Sequence, residues 1–339
     1  MSDETSKPRV LVAIPLFEQV LERLGQHFEV DAPCGSALMV DWTAASLAER
    51  LQGCAGLLVA GAPTVDAPLL AACPDLRAVC SMAVGYNNIG VPACTAAGVL
   101  VSNAPGVLTE TTADFGFALM MATARRITEG ERFLRSGQWT HWSYDLLAGA
   151  DVHGATLGVL GMGRIGQAIA RRGALGFGMP VIYHNRSRLD PAVEQLLGAR
   201  WVDKATLLRE ADHLVIVVPY GPSSHHLVGA AELALMKPGA TLTNIARGGV
   251  VDDAALAAAL RDGRIAAAGL DVFEGEPAVH PELLALPNVV LTPHIASASL
   301  STRRAMAELA ARNLIAALGR GPEAGVPPTA LNPEVLRSA

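Results

Sequence analysis

Val159-Leu160-Gly161-Met162-Gly163-Arg164-Ile165-Gly166 joins a short aliphatic run, Thr156–Leu160, to an amphipathic one, Arg164–Leu175. The first run has the length of a buried strand and the second the apolar spacing of a helix. Three glycines between them serve three needs of a dinucleotide loop. Gly161 permits the tight turn, Gly163 lets a pyrophosphate approach the backbone, and Gly166 lets helix and strand pack closely. Free N–H groups at the helix start then face the phosphates. A Gly-rich turn without a ligand is the plain alternative, but strand before and helix after is the context a nucleotide loop requires.

Outward from this loop the chain alternates strand and helix. Downstream, Pro180–His184, Leu214–Val218, Thr241–Asn244, Ala266–Leu270 and Val289–Leu291 read as strands. Lys204–Arg209 starts a helix, and Asp252–Arg261 is a helix with Asp at its start and Gly263 past its end. Short aliphatic strands separated by helices imply a parallel sheet covered on both faces, an α/β fold. Upstream, Val10–Ile14, Leu57–Ala60, Ala78–Cys80 and Val99–Val101 are strands and Phe17–Gln26 a helix, a small α/β unit of its own. Asn103-Ala-Pro-Gly106 is a turn and a candidate hinge. One long helix is expected over Thr109–Ser136, then a connecting stretch, Gln138–His153, holding Trp139, Trp142 and Tyr144. Ser301–Leu318 is a last helix, and the tail from Gly321 is expected to be loosely held.

Composition narrows the partners. Apolar residues make up 51% of the 339, enough for a sizeable core. A net charge of −6 without a basic run argues against nucleic acid or a membrane surface. The polar opening MSDETSKPRV and the brief apolar Val10–Pro15 make no secretory signal, and no apolar run reaches bilayer length. Cys34, Cys54, Cys73, Cys80 and Cys94 are odd in number and lack a CxxC pair, so reduced thiols in a cytoplasmic protein are expected, with no metal.

The end of the second strand selects the cofactor, where an acidic residue about 20 positions past the loop would bind a ribose hydroxyl. Here it reads Tyr183-His-Asn-Arg-Ser-Arg188. Asn185, Arg186, Ser187 and Arg188 offer cations and hydrogen bonds suited to a 2′-phosphate, so NADPH is expected over NADH, with NAD still open. A solvated basic loop is the alternative.

Three ionisable residues lie just beyond carboxyl ends of expected strands, where open α/β sheets bind ligands: Arg247, Glu276 and His294. Reducing a 2-oxo acid needs a carboxylate clamp, a proton for the carbonyl oxygen and a hydride on one face. Arginine offers a planar fork for the first. Histidine exchanges protons near neutral pH, and a carboxylate on its other nitrogen orients the ring. The remaining histidines, His27, His141, His153, His184, His213, His225, His226 and His280, receive no role. Adjacent His225 and His226 do not share a helix face and have no acidic or Cys partner spaced nearby, so they are expected to be solvated or supporting.

The motifs VLGMGRIG (159–166), NIARGGVVDD (244–253), GLDVFEGEP (269–277) and LTPHIASAS (291–299) resemble the D-isomer-specific 2-hydroxyacid dehydrogenase family, and within it the glyoxylate/hydroxypyruvate and 2-ketogluconate reductases. The resemblance implies two Rossmann-like domains with doubly wound parallel sheets. The nucleotide domain, 105–295, would be inserted in a substrate domain of 1–104 and 296–339. It implies Arg247 as substrate binder, His294 as acid/base and Glu276 as its partner. Leu160 to Ile165, Val218 and Pro219 would line the dinucleotide. Thr112, Ile245, Ala246, Asp271, Ala296 and Ser297 would lie around the nicotinamide end. Val84 and Gly85 resemble a loop gripping the substrate carboxylate, in a cleft that closes over ligands. An arm around 110–153 would build a homodimer, with Trp142 near the neighbouring site or simply packing the dimer. Tyr86-Asn87-Asn88 departs from the family's Tyr-Asp-Asn by one charge. Against this enzyme stands a non-catalytic NAD(P)-sensing regulator on the same fold, which would not need the intact Arg–Glu–His set.

Overall fold

The computed structural model describes residues 7–33 and 42–337. Cys34 lies outside the described residues; Cys54, Cys73, Cys80 and Cys94 are free and buried. The chain forms two compact units, one from residues up to Leu108 together with those from Ser299 onward, the other from Thr109 to Ala298.

The first unit is built on a five-stranded parallel sheet of β1 (Arg9–Val12), β2 (Glu29–Asp31), β3 (Cys54–Val59), β4 (Ala78–Ser81) and β5 (Leu100–Ser102), in the order β2-β1-β3-β4-β5. Every residue of β3, β4 and β5 is buried, as a sheet covered on both faces requires. The last helix, Leu300–Ala317, packs on this sheet against β3 and β4. The tail after it is pinned rather than loose. Leu331 N–H donates to the Val101 carbonyl, and Asn332, almost fully buried, accepts from Val101 N–H at 2.7 Å and donates to Val99 O and Thr95 Oγ1. Edge strand β5 leaves those backbone groups unpaired, and the tail satisfies them. Polar residues in a Pro-containing segment hid this in the sequence.

The second unit carries a seven-stranded parallel sheet: β6 (Leu157–Leu160), β7 (Val181–His184), β8 (Ala199–Trp201), β9 (His213–Ile216), β10 (Thr241–Asn244), β11 (Ala267–Leu270) and β12 (Val289–Leu291), ordered β12-β11-β10-β9-β6-β7-β8. The order reverses between β6 and β9, and at such a switch point adjacent loops part and leave a crevice. The three-residue edge strands β2 and β8 had no aliphatic run to announce them.

The stretch expected as one helix is two, Thr109–Ala124 and Ile127–Arg135. Arg126 between them is left-handed, φ 53°, and its guanidinium holds Glu129 through two bonds of 2.7 and 2.8 Å. Ala150 N–H takes the Ala124 carbonyl at 2.9 Å, and a Cβ on Gly149 would meet that oxygen at 2.3 Å. A tertiary contact therefore ends the helix, with no glycine or proline to mark the place. The first of the two helices lies close on the sheet. A Cβ on Gly116 would meet Ile245 Cδ1 at 2.6 Å, and one on Gly269 would meet Thr123 Oγ1 at 2.4 Å.

Candidate active site

The glycine loop has the shape its sequence demands. Gly161 has φ +103°, and a Cβ there would stand 2.6 Å from the Val217 carbonyl, so loop and β9 end meet across the switch point. A Cβ on Gly166 would lie 2.2 Å from the Gly161 carbonyl, which is the close helix packing expected of the third glycine. Around Gly163 the space is open, and Gly163 and Arg164 are exposed at the helix start. Backbone N–H groups at the start of Arg164–Phe177 thus face free space where a pyrophosphate fits. One turn before Gly116, Thr112 is buried and its hydroxyl has no hydrogen-bond partner among the described residues. A buried hydroxyl left unpaired costs about 1–3 kcal/mol. Val218 and Pro219 follow β9 beside Gly161. Ile245 and Ala246 are buried after β10.

The four candidates for cofactor selection have separate fates. Asn185 Oδ1 accepts Met162 N–H at 2.6 Å, bracing the glycine loop. Arg188 clasps Glu194 through bonds of 2.6 to 3.1 Å, and Glu194 also accepts from the buried Tyr183 hydroxyl at 2.5 Å. Arg188 and Tyr183 together hold the Glu194 carboxyl down at about 2. Arg186 and Ser187 are exposed and make no side-chain hydrogen bond or ion pair among the described residues.

The catalytic candidates of the second unit converge. Glu276 Oε1 accepts Phe273 N–H at 2.9 Å, and its Oε2 lies 2.7 Å from His294 Nδ1. Burial pushes the Glu276 carboxyl up, but His294, the Phe273 N–H and the Arg247 charge outweigh it and hold it below the usual carboxylate range. An ionised Glu276 accepts Nδ1–H and leaves His294 Nε2 as the nitrogen for other chemistry. Arg247 is half-buried, its Nη1 donating to the Ala246 carbonyl at 2.7 Å. Burial lowers its pKa, opposed by the Glu276 charge. Gly248 brings these loops together: a Cβ there would fall 1.7 Å from the Phe273 carbonyl, so only glycine lets the Arg247 loop lie on the loop leading to Glu276. Asn244, buried at the end of β10, accepts Ala246 N–H at 3.0 Å and donates to the Arg247 carbonyl at 3.3 Å. Sequence reasoning passed over Asn244; its signal was a polar residue closing a buried strand.

Asp271 is fully buried and grips the turn that carries His294. Its Oδ1 accepts from Thr292 Oγ1 and Ile295 N–H, its Oδ2 from Ala296 N–H, each at 2.8 Å. Burial pushes its carboxyl up against those three donors. His294 itself is left-handed, φ 53°, and its N–H donates to the Asp271 carbonyl at 2.9 Å. An uncommon backbone conformation persists where its surroundings over-determine it, and Asp271 supplies that constraint. Asp271→Ala orphans the buried Ala296 N–H and the part-buried Ile295 N–H and opens a cavity, for about 3–5 kcal/mol. Its melting point should fall by roughly 6–20 °C in calorimetry; a loss of only a degree or two would contradict this role.

Val84 and Gly85 lie in the first unit on the turn after β4, where Asn103 Nδ2 donates to the Val84 carbonyl at 2.8 Å. Ser297 follows buried Ala296. Trp142 is 77% exposed, and Trp139 and Tyr144 beside it are exposed too.

The family model for the D-isomer specific 2-hydroxyacid dehydrogenase NAD-binding domain matches residues 117–296. A glyoxylate reductase from Thermococcus onnurineus is 45% identical over 97% of each chain. The chain belongs to the D-isomer specific 2-hydroxyacid dehydrogenase family. The enzyme is an NAD(P)-dependent oxidoreductase, which sets aside the purely regulatory alternative. Among solved structures, a protein from Thermus thermophilus matches with TM-score 0.85 and 41% identity, covering 95% of this chain and 99% of its own. An NADPH-dependent glyoxylate/hydroxypyruvate reductase from Sinorhizobium meliloti, in complex with NADP and malonate, matches with TM-score 0.83 and 36% identity, covering 97% and 98%. Among the described residues no helix of the enzyme is long and apolar enough to cross a membrane.

Proposed function

We propose that the enzyme reduces glyoxylate or hydroxypyruvate to the D-2-hydroxy acid, prefers NADPH, and uses His294 as acid and base. The observation that carries this reading is the 2.7 Å contact of His294 Nδ1 with Glu276, on loops locked to that of Arg247. The reduced nicotinamide, when bound, supplies the hydride. His294 Nε2 gives a proton to the carbonyl oxygen while ionised Glu276 balances the charge on the imidazole. Arg247 presents its fork to the substrate carboxylate and the neighbouring carbonyl oxygen, fixing which face is reduced. Steady-state assays with a panel of 2-oxo acids test the substrate. A higher kcat/KM for 2-ketogluconate than for either small acid would replace this reading with a 2-ketogluconate reductase.

The cofactor preference rests on Arg186, the free cation of its loop. A charge-assisted bond from Arg186 to a 2′-phosphate is worth about 1.5–3 kcal/mol. Arg186→Ala should therefore raise KM for NADPH by roughly 10–100-fold and leave that for NADH within about twofold, since NADH lacks the phosphate. Arg188→Ala should lower the melting temperature more than NADPH affinity, because Arg188 is engaged by Glu194. Equal loss of both cofactors in Arg186→Ala, or a wild-type preference for NADH, would remove the proposal.

The exposed aromatic stretch 139–144 supports a homodimer built through the arm. Large apolar groups exposed together mark an interaction surface. Sedimentation should give about twice the chain mass, and Trp142→Asp should shift it toward one chain. A wild-type monomer would exclude this assembly.

A further inference from the structure

His225 and His226 have an acidic partner that no local spacing reveals: Glu274, whose Oε2 lies 2.9 Å from His226 Nε2. We propose that His225, His226 and Glu274 form a binding site for a divalent transition-metal ion of the zinc class, outside the catalytic trio.

Consecutive side chains ordinarily diverge. Here His226 adopts a left-handed backbone, φ 48°, with its N–H donating to the Gly249 carbonyl at 2.7 Å. The two imidazoles consequently stack, centroids 3.9 Å apart and planes 21° from parallel. Each ring has one nitrogen turned to another group. His225 Nδ1 lies 3.1 Å from the Tyr220 hydroxyl, leaving Nε2 free to bind an ion. His226 Nδ1 faces Asp252 Oδ2 at 3.8 Å, leaving Nε2 toward Glu274. Asp252 at 3.8 Å is an ion-pair neighbour of His226 Nδ1, on the side where a supporting carboxylate of a metal-binding histidine stands. Glu274 is held in turn, its N–H donating to Asp253 Oδ2 at 3.0 Å.

The donor set suits the zinc class. Two imidazoles are borderline donors that favour zinc, nickel and copper over magnesium or calcium, the carboxylate adds a charged oxygen ligand, and three donors leave one tetrahedral position for water. One ligand atom from each residue lies within 4.8 Å of the others. In a tetrahedral site two atoms each about 2.0–2.1 Å from one ion stand about 3.3–3.4 Å apart. The widest pair closes by up to about 1.4 Å to reach this, within the reach of side-chain rotation in three exposed residues. An ion here would tie the loop of His225 and His226 to a residue two positions from Glu276. Gly249, which anchors His226, is two positions from Arg247. Metal loading would therefore stiffen both catalytic loops from behind.

Untagged full-length enzyme, stripped with chelator, should bind one Zn²⁺ per chain in calorimetric titration and should develop a tetrahedral Co²⁺ absorption band with Co²⁺. His226→Ala and Glu274→Gln should each weaken Zn²⁺ binding by about 10–100-fold or more. His294→Ala should leave it within about twofold, since the catalytic histidine takes no part. These exposed positions tolerate substitution, and His225→Ala gives a third independent variant. No binding to the wild type, binding indifferent to His226 and Glu274, or binding lost in His294→Ala would each overturn the site.

Discussion

His294→Ala is expected to lower kcat for glyoxylate by about 10²–10⁴, the usual worth of a positioned acid, while NADPH binds within about twofold of the wild type. On the proposed reading the imidazole protonates the carbonyl oxygen, and its Nδ1 lies 2.7 Å from Glu276. Its turn is held through backbone N–H groups of Ile295 and Ala296, which any side chain at 294 preserves. Binding of the dinucleotide rests on the glycine loop and should survive. The left-handed backbone at 294 favours asparagine over alanine, so His294→Asn keeps the turn relaxed and gives a second variant with the same expected loss. Stopped-flow fluorescence separates the two quantities, binding from the NADPH titration and chemistry from single turnover. Turnover preserved in both variants would remove His294 from the proton path. Loss of turnover and NADPH binding together would make it a cofactor ligand instead.

The parts of this enzyme that were legible are those that local chemistry enforces. Gly161, Gly163 and Gly166 lie between a strand and a helix because only that join needs three glycines, and buried strands such as Leu157–Leu160 announced themselves by aliphatic length. Arg247, Glu276 and His294 stood out because charged residues at the ends of buried strands have few structural reasons to be there. What stayed hidden depends on contacts far apart in the chain. The break at Arg126 is made by residues 149 and 150, the tail is pinned by the bare edge of β5, and Arg188 is withdrawn from the cofactor set by Glu194. The three short bonds by which Asp271 scaffolds the His294 turn were not announced by the sequence. No periodicity or spacing encodes such pairings, since each is settled by which loops the sheet order brings together. His225 and Glu274 share that origin: 49 positions separate them, and the segments after β9 and β11, two strands that flank β10, reunite them.

Arg247→Lys separates charge from shape. Both side chains are cations, so a role as mere charge would leave kcat/KM nearly unchanged. A bidentate fork on the carboxylate and carbonyl oxygen cannot be reproduced by an ammonium, which meets one oxygen at a time. Arg247 also spends one nitrogen on the Ala246 carbonyl at 2.7 Å, which fixes the plane in which the rest of the fork projects. Lysine would satisfy either that carbonyl or the substrate. The expected loss in kcat/KM for glyoxylate is about 10²–10³, comparable to removing one donor from a preorganised anion site. The loss should fall on both kcat and KM, because in the proposed role the fork holds the substrate and also polarises the bond being reduced. NADPH affinity should stay within about twofold, as the proposal assigns Arg247 to the substrate rather than the dinucleotide. A lysine variant within threefold of the wild type in kcat/KM would mean that positive charge at this half-buried position is sufficient, and the fork would have no part in orienting the substrate.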